Sequence, residues 1–472
     1  LRKSVHAVED YAKKAQEQKL LISVYNLRKQ EKDFMLRKDL KYVENFKSIK
    51  EEQTLSLVKN SADEMPEDYF NPNAPATPDL LKTAVIYGAN ASGKSSLLKA
   101  LASMQSIIKN YFNKKLDESI DLEPFLLDPT TRIQPTTFQA VLVVNMPSET
   151  GELQPVRVEY GFSADKKQIY EEWLSVYPKG REQAWFHRLY NDENKFFEWK
   201  DSNFFKGQKE TWKKNTRSDQ LFLSTAVHLN SEQLKPIYDN FTQNFMIISS
   251  DRISNEMSKN FCKYDESGKK LILSLLKQAD IDVEDIVIKK PNISLKDLPK
   301  NIPEEFKQQI AKELAENFDV FFIHLDNQGN KVAINLHDES DGTQKVFEFS
   351  SLIFYVLTKS ATLIIDEFNK SLHPDLVRFL VKIFNSKAKA QLIFTTHETS
   401  ILRKDLLRRD QVWFCEKGKD KSTSLYPLTD FSPHKGREDI EECYLHGRYG
   451  GKPIIKDFFF PEDLNISDDA ES

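Results

Sequence analysis

Apolar positions follow two rhythms along the chain. Ala84-Val85-Ile86-Tyr87 is a short continuous apolar run, the pattern of a parallel strand buried on both faces. Directly after it, Leu97, Leu98, Leu101, Met104, Ile108 and Phe112 recur at helical spacing, so strand, loop and helix are predicted in that order. From Phe138 to Tyr160, and again from Ala184 to Trp199, apolar and polar residues alternate. Breaks at Pro-Ser-Glu-Thr-Gly and Asn-Asp-Glu-Asn predict antiparallel hairpins and a β-rich lobe. Asp39–Leu57 reads as a strand, a turn and a second strand. Residues 60–80, with Pro66, Pro72, Pro75 and Pro78, read as a loop.

Helical patterns cover Gln233–Tyr238, Lys269–Gln278 and Glu304–Ala315, with strands near Ile286–Ile288 and Val320–His324. Residues 232–330 are therefore expected to be an α-rich insertion, without the sustained heptads of a coiled-coil arm. The pattern then alternates: strand Val332–Leu336, helix Gln344–Leu357, strand Thr362–Ile365, helix Asp375–Phe384, strand Gln391–Thr395. Such alternation predicts an α/β fold with a parallel sheet. The expected divisions are an N-terminal extension (1–38), a first part of the α/β unit with the β-rich lobe (39–231), the insertion (232–330), the second part of the α/β unit (331–460) and an acidic tail (461–472).

The 472 residues carry 67 Lys and Arg against 72 Asp and Glu, a net charge of −5, which argues against a protein wrapped around nucleic acid while leaving room for a local basic patch. No apolar run approaches the roughly 18 residues of a membrane span. Cys262, Cys415 and Cys443 are scattered, without a CxxC pair, so neither a disulfide framework nor a structural zinc is expected. No secretory signal opens the chain, and the expected address is the cytoplasm. The basic first segment starts with Leu, and Met35 is a candidate natural start.

Gly88-Ala89-Asn90-Ala91-Ser92-Gly93-Lys94-Ser95 fits GxxxxGK[ST] between a predicted strand and an amphipathic helix, the context that motif requires. Backbone amides at the helix start, continuing to Ser96, would converge on phosphate oxygens. Lys94, its side chain expected to face solvent, would add a point charge on the β- and γ-phosphates, and Ser95 would hold Mg²⁺. Leu363-Ile364-Ile365-Asp366-Glu367 is an apolar strand ending in two carboxylates. Asp366 can orient the magnesium's water shell. Glu367 can polarise a water attacking the γ-phosphate of ATP, the step that separates hydrolysis from binding.

Further motifs stand around these. Glu339-Ser340-Asp341-Gly342-Thr343 opens a predicted helix, Ser371-Leu372-His373-Pro374 follows Glu367, and Thr395-Thr396-His397 closes the next strand. In this order the set resembles the ABC-type ATPase heads that include the SMC and RecF proteins. The resemblance implies an ABC-type (SMC/RecF-like) P-loop head with signature Ser340–Thr343, D-loop Ser371–His373 and switch His397. It further implies that Ser340, Gly342 and Ser371 meet nucleotide on a second subunit, in a head-to-tail homodimer or higher oligomer. Asp341 and Thr343 replace the usual Gly and Gln of the signature, and Ser340 reads equally as a helix N-cap. His397 reads also as a satisfied turn histidine. Gln134 and Gln139 are both candidates for the glutamine-loop residue that the resemblance implies.

Within that superfamily, Leu40–Ile455 is similar to the RloA-like ATPases of bacterial phage-defence (abortive-infection) loci, through Val43–Ile49, Glu339–Thr343, Asp366–Pro374, Phe394–His397 and Tyr444–Gly450. That resemblance implies an ATPase that senses infection and controls a neighbouring-gene effector such as a nuclease or Toprim-like protein. The alternatives are a RecF/SMC-like repair ATPase clamping DNA and an ATP-binding scaffold without turnover. Overall acidity opposes the first and Glu367 the second. Trp185–Arg217 interleaves aromatics with bases and fits either a single-strand clamp or a hairpin with one buried face. Arg437–Tyr449 fits either a partner-binding terminus or a structural turn around Gly447 and Gly450.

Overall fold

The computed structural model describes residues 41–62, 64–109, 118–148, 150–250, 253–290, 318–386, 389–432 and 439–452. The N-terminal extension, Phe112, the expected helix Glu304–Ala315 and the acidic tail lie outside them.

Two large sheets organise the chain. The first is antiparallel. The hairpin of β1 (Lys41–Glu44) and β2 (Gln53–Leu55) joins, through β1, the long strand β6 (Thr136–Pro147). It continues through β7 (Leu153–Ala164), β8 (Ile169–Tyr177), β9 (Gln183–Asn191) and β10 (Phe196–Asp201). Alternation on β6 buries Phe138, Ala140, Leu142, Val144 and Met146 on one face, as the period of two requires. Between the hairpin and the second sheet, the proline-rich loop carries a 3-10 turn (Pro66–Asp68) and the two-residue strands β3 (Tyr69–Phe70) and β4 (Leu80–Leu81).

The second sheet has the parallel strands β11 (Phe245–Ser249), β15 (Thr362–Asp366), β16 (Gln391–Thr395), β5 (Thr83–Gly88) and β17 (Val412–Lys417), in that spatial order, with β18 (Thr423–Pro427) antiparallel at the edge. Its centre is dry: Leu363, Ile364 and Ile365 are all fully buried. Alternate side chains of β5 serve two cores. Ala84 and Ile86 pack toward α1 (Lys94–Lys109) and the antiparallel sheet. On that side also lie the short helices α2 (Lys209–Asn215), α3 (Phe222–His228) and α4 (Lys235–Gln243). Val85 and Tyr87 pack toward α5 (Glu256–Tyr264), α6 (Glu266–Gln278), α7 (Asp341–Lys359), α8 (Pro374–Ser386) and α9 (Ile440–Leu445). The architecture is α/β, with an antiparallel lobe packed on one face of a mostly parallel sheet.

The expected insertion is drawn differently by the structure. Phe245–Ser249, inside the range 232–330, is an edge strand of the parallel sheet, with Phe245 opposite Thr362 and Ser249 opposite Asp366. A five-residue apolar run is ambiguous between helix and strand, and its edge place leaves it only half-buried. The 330 boundary also falls inside a small antiparallel sheet of β12 (Asp285–Lys289), β13 (Asp319–Leu325) and β14 (Lys331–Asn335).

The aromatic segment after Ala184 takes the hairpin form. Trp185, Phe186, Phe205 and Trp212 are buried in the lobe's core, and Arg188 is wholly buried with its Nε 2.9 Å from Glu172. Lys209 and Lys213 both bond Asp201. Of the C-terminal motif, Tyr444 and Tyr449 pack against Phe414, and Gly447 and Gly450 turn the chain at positive φ.

Candidate nucleotide site

The carboxyl ends of parallel strands are where open α/β sheets bind ligands, and the candidate residues gather there. Strand β5 ends at Gly88, and α1 begins at Lys94. Gly93 sits at φ +109°, and a Cβ there would stand 2.0 Å from the Thr423 hydroxyl, so only glycine fits. Gly88 has no room either, a Cβ falling 2.4 Å from the Cys415 carbonyl oxygen. The loop is braced from outside. Thr423 Oγ1 and Cys415 Sγ donate to the Ser92 carbonyl at 2.9 and 3.4 Å, and the Thr423 N–H donates to Ser48 O on the β1–β2 turn at 2.7 Å. Asn90 and Ala91 are exposed at the tip, and the Ser96 N–H returns to Gly93 O.

Lys94 differs from the expectation of a solvent-facing side chain. It is buried, and its ammonium donates to Gly88 O at 2.8 Å and Ala89 O at 3.1 Å. The loop's own carbonyls curve around the ammonium and replace its water. Burial pulls its pKa down, against Cys415, Asp366 and Glu367, which favour the charge. The cation thus lies within electrostatic reach of both carboxylates.

Strands β15 and β16 hold the acidic pair. The Thr395 hydroxyl donates to Asp366 Oδ1 at 2.5 Å and accepts the Glu367 N–H at 2.8 Å. Glu367 is exposed at φ +54°, a left-handed conformation that costs a non-glycine residue about 1 kcal/mol or more and clusters at functional sites. The next residue anchors it: Phe368 is buried edge-on against Phe349 and Phe394. Asn369 Oδ1 then accepts from Thr396 Oγ1 at 2.9 Å and from the His397 N–H at 3.4 Å, tying the acidic turn to the histidine turn. Partial desolvation, then Lys94, hold the His397 imidazole below its ordinary range, against Glu367 and Asp366. Sequence reasoning missed Thr395 and Asn369 as site residues, although Thr395 stands in a segment it singled out.

Ser95 and Asp366 line one cleft of about 730 Å³ between α1 and β11. A hydroxyl and a carboxylate are hard oxygen donors and fit Mg²⁺, which draws its other ligands from phosphates and water. Among the described residues no cluster of three or more His, Cys, Asp or Glu could hold a metal by itself.

The signature residues are elsewhere. Ser340 is the N-cap of α7, accepting the Thr343 N–H at 3.1 Å, and Asp341 and Gly342 follow in its first turn. A Cβ on Gly342 would lie 3.7 Å from the carbonyl oxygen of Ser371, itself at φ +62°. Signature and D-loop of one chain therefore adjoin. Among the described residues, no hydrogen bond joins Ser340, Gly342 or Ser371 to the phosphate loop. Gln134 and Gln139 are not brought to the cleft. Gln134 is exposed before β6, and the Gln139 amide donates to Glu159 at 2.9 Å in the antiparallel sheet.

Residues 84–403, from β5 past His397, match the family described as "AAA domain, putative AbiEii toxin, Type IV TA system". The chain belongs to this family. It is an AAA-type, nucleotide-binding chain of a family whose ATPases generally bind ATP with Mg²⁺. No curated protein matches it. Among solved structures it is similar to the SMC head domain from Thermotoga maritima, at 12% identity and TM-score 0.37, covering 82% of this chain and 98% of that one. It is also similar to an Smc head domain with an extended coiled coil bound to the C-terminal domain of ScpA, from Pyrococcus furiosus, at 12% identity and TM-score 0.33, covering 82% and 95%. No described helix is long and apolar enough to cross a membrane.

Proposed function

We propose that the chain hydrolyses ATP and uses nucleotide-driven, head-to-tail dimerisation to control a separate effector in bacterial anti-phage defence. The observation that carries the hydrolytic reading is the Thr395 bridge, which fixes Asp366 and presents exposed Glu367 at the carboxyl end of the sheet whose strand β5 leads into the Lys94 loop. The loop amides and Lys94 would hold the phosphates; Ser95 and Asp366 would hold the magnesium, which supplies charge neutralisation when bound. Glu367 would accept a proton as a water oxygen bonds the γ-phosphorus and the bond to the β-phosphate oxygen breaks, leaving ADP and phosphate. His397, its pKa lowered by burial and by Lys94, would contact the γ-phosphate from the neighbouring strand end. The family's description, naming a putative toxin of a type IV TA system, supports work beside a second component, and the RloA-like sequence segments support a nuclease or Toprim-like one in the cytoplasm.

The test is Glu367→Gln. It should retain ATP binding and lose turnover by about 10²-fold or more, the worth of a general base. Parental turnover in the variant would overturn the role.

A further inference from the structure

The turn that follows His397 is held from three elements. The Tyr87 hydroxyl, near the end of β5, donates to Glu398 O at 2.8 Å. The Thr399 hydroxyl donates to Glu441 Oε1 on α9 at 2.9 Å, and the Arg378 guanidinium on α8 donates to Ser400 O at 3.1 Å. Tyr87 is wholly buried, its ring 5.6 Å from that of Tyr444, which in turn stacks on Phe414 at 5.4 Å. His397 itself is exposed, and among the described residues no hydrogen bond holds its ring. Its own N–H reaches Asn369 only at 3.4 Å, while the residue after it is pinned by Tyr87. The imidazole is as well placed as the turn that carries it.

We infer that Tyr87 and Glu441 are positioning residues for His397, clamping its turn so that the imidazole meets the γ-phosphate. The inference rests on the ATPase reading and deepens it. Side chains alternate along a strand, so Tyr87 packs in the core away from α1 and holds the turn without occupying the nucleotide's place. Its neighbour Gly88 accepts the Lys94 ammonium. One strand end thus fixes the lysine through its backbone and the histidine turn through a side chain. The C-terminal motif also reaches the site by this route: Tyr444 packs on Tyr87, and Glu441, one helical turn earlier on α9, fixes Thr399.

The experiment uses the full chain with Mg²⁺, with ATP for turnover and AMP-PNP for NMR of ring-labelled histidine, His397→Ala identifying the His397 signal. Tyr87→Phe removes one hydroxyl and should lower kcat by about three- to ten-fold, the worth of one neutral hydrogen bond, with KM unchanged and the His397 ring signal moved. Glu441→Ala should lower kcat and move the signal in the same way. Glu441→Gln, whose amide oxygen still accepts from Thr399, should restore both. An unmoved ring signal or parental kcat in Tyr87→Phe, or equal effects of Glu441→Ala and Glu441→Gln, overturns this inference alone. Parental turnover in His397→Ala overturns the place of His397 at the γ-phosphate, and this inference with it.

Discussion

The Thr395 hydroxyl lies 2.5 Å from Asp366 Oδ1 while accepting the backbone N–H of Glu367, so one short side chain on β16 holds both the Asp366 carboxylate and the Glu367 backbone at the end of β15. A hydrogen bond to a charged group contributes about 1.5–3 kcal/mol. Thr395→Val keeps the shape and removes both bonds. Turnover should fall by about ten- to a hundred-fold with nucleotide affinity little changed, and Thr395→Ser should recover most of it in a steady-state phosphate-release assay. Equal rates for the Val and Ser variants would show that the hydroxyl is dispensable.

His397 reports the charges around it. Desolvation and Lys94 lower its pKa, while Glu367 and Asp366 raise it. Removing the cation in Lys94→Met should therefore move the imidazole titration up, and Glu367→Gln should move it down. Both are readable by NMR on the His397 ring without turnover. Shifts of the opposite sign would place the imidazole away from the cation and the carboxylate.

At the other end of the parallel sheet, Asp68 is 1% exposed, and its Oδ2 has no hydrogen-bond partner among the described residues. Desolvation and then Glu67 push its pKa up to about 7, against Arg408 and Lys82. The folded value lies above the unfolded one, so between roughly pH 4 and pH 7 the folded chain holds a proton that the unfolded chain has released. Stability from this group is thus fully present below about pH 4 and lost as pH rises toward 7. Asp68→Asn removes the titration. Relative to the parent, it should gain stability between pH 5 and pH 8 by on the order of 2–4 kcal/mol in urea unfolding. A parallel pH profile for the two proteins would exclude a buried carboxyl with a raised pKa.

What was legible in the sequence had local causes. Ala84–Tyr87 reads as a buried strand because both faces are covered. Gly93 marks a helix start because a tight loop permits nothing larger. Alternation from Phe138 to Tyr160 reads as a hairpin because one face is wet. Strand Phe245–Ser249, enclosed in the range expected for the insertion, is an edge strand, half-buried, with no alternation strong enough to separate it from a helix end. The contacts of Thr395 with Asp366 and of Asn369 with Thr396 join residues 29 and 27 positions apart, so they depend on sheet register, which no local pattern encodes. Lys94 was misjudged for a related reason: the carbonyls that replace its water belong to the curvature of the loop and not to its composition.

The last prediction concerns Ser340, which caps α7, while Gly342 in the helix's first turn lies near the Ser371 carbonyl oxygen of the same chain. The helix starts at Gly93-Lys94 and at Ser340–Thr343 share no hydrogen bond among the described residues, as the proposed site completed by a second subunit requires. Ser340→Ala serves as the control for the cap, costing about 1 kcal/mol of stability. Ser340→Arg should leave Lys94-dependent ATP binding largely in place but abolish hydrolysis, because a bulky cation would block the facing γ-phosphate. Mixing Ser340→Arg chains with Lys94→Ala chains then separates the readings. Head-to-tail sharing gives the mixed dimer one composite site with both the native lysine and the native serine, so turnover should partly return. If mixed dimers form and stay inactive, or if Ser340→Arg alone hydrolyses ATP at the parental rate, Ser340 is a helix cap and nothing more.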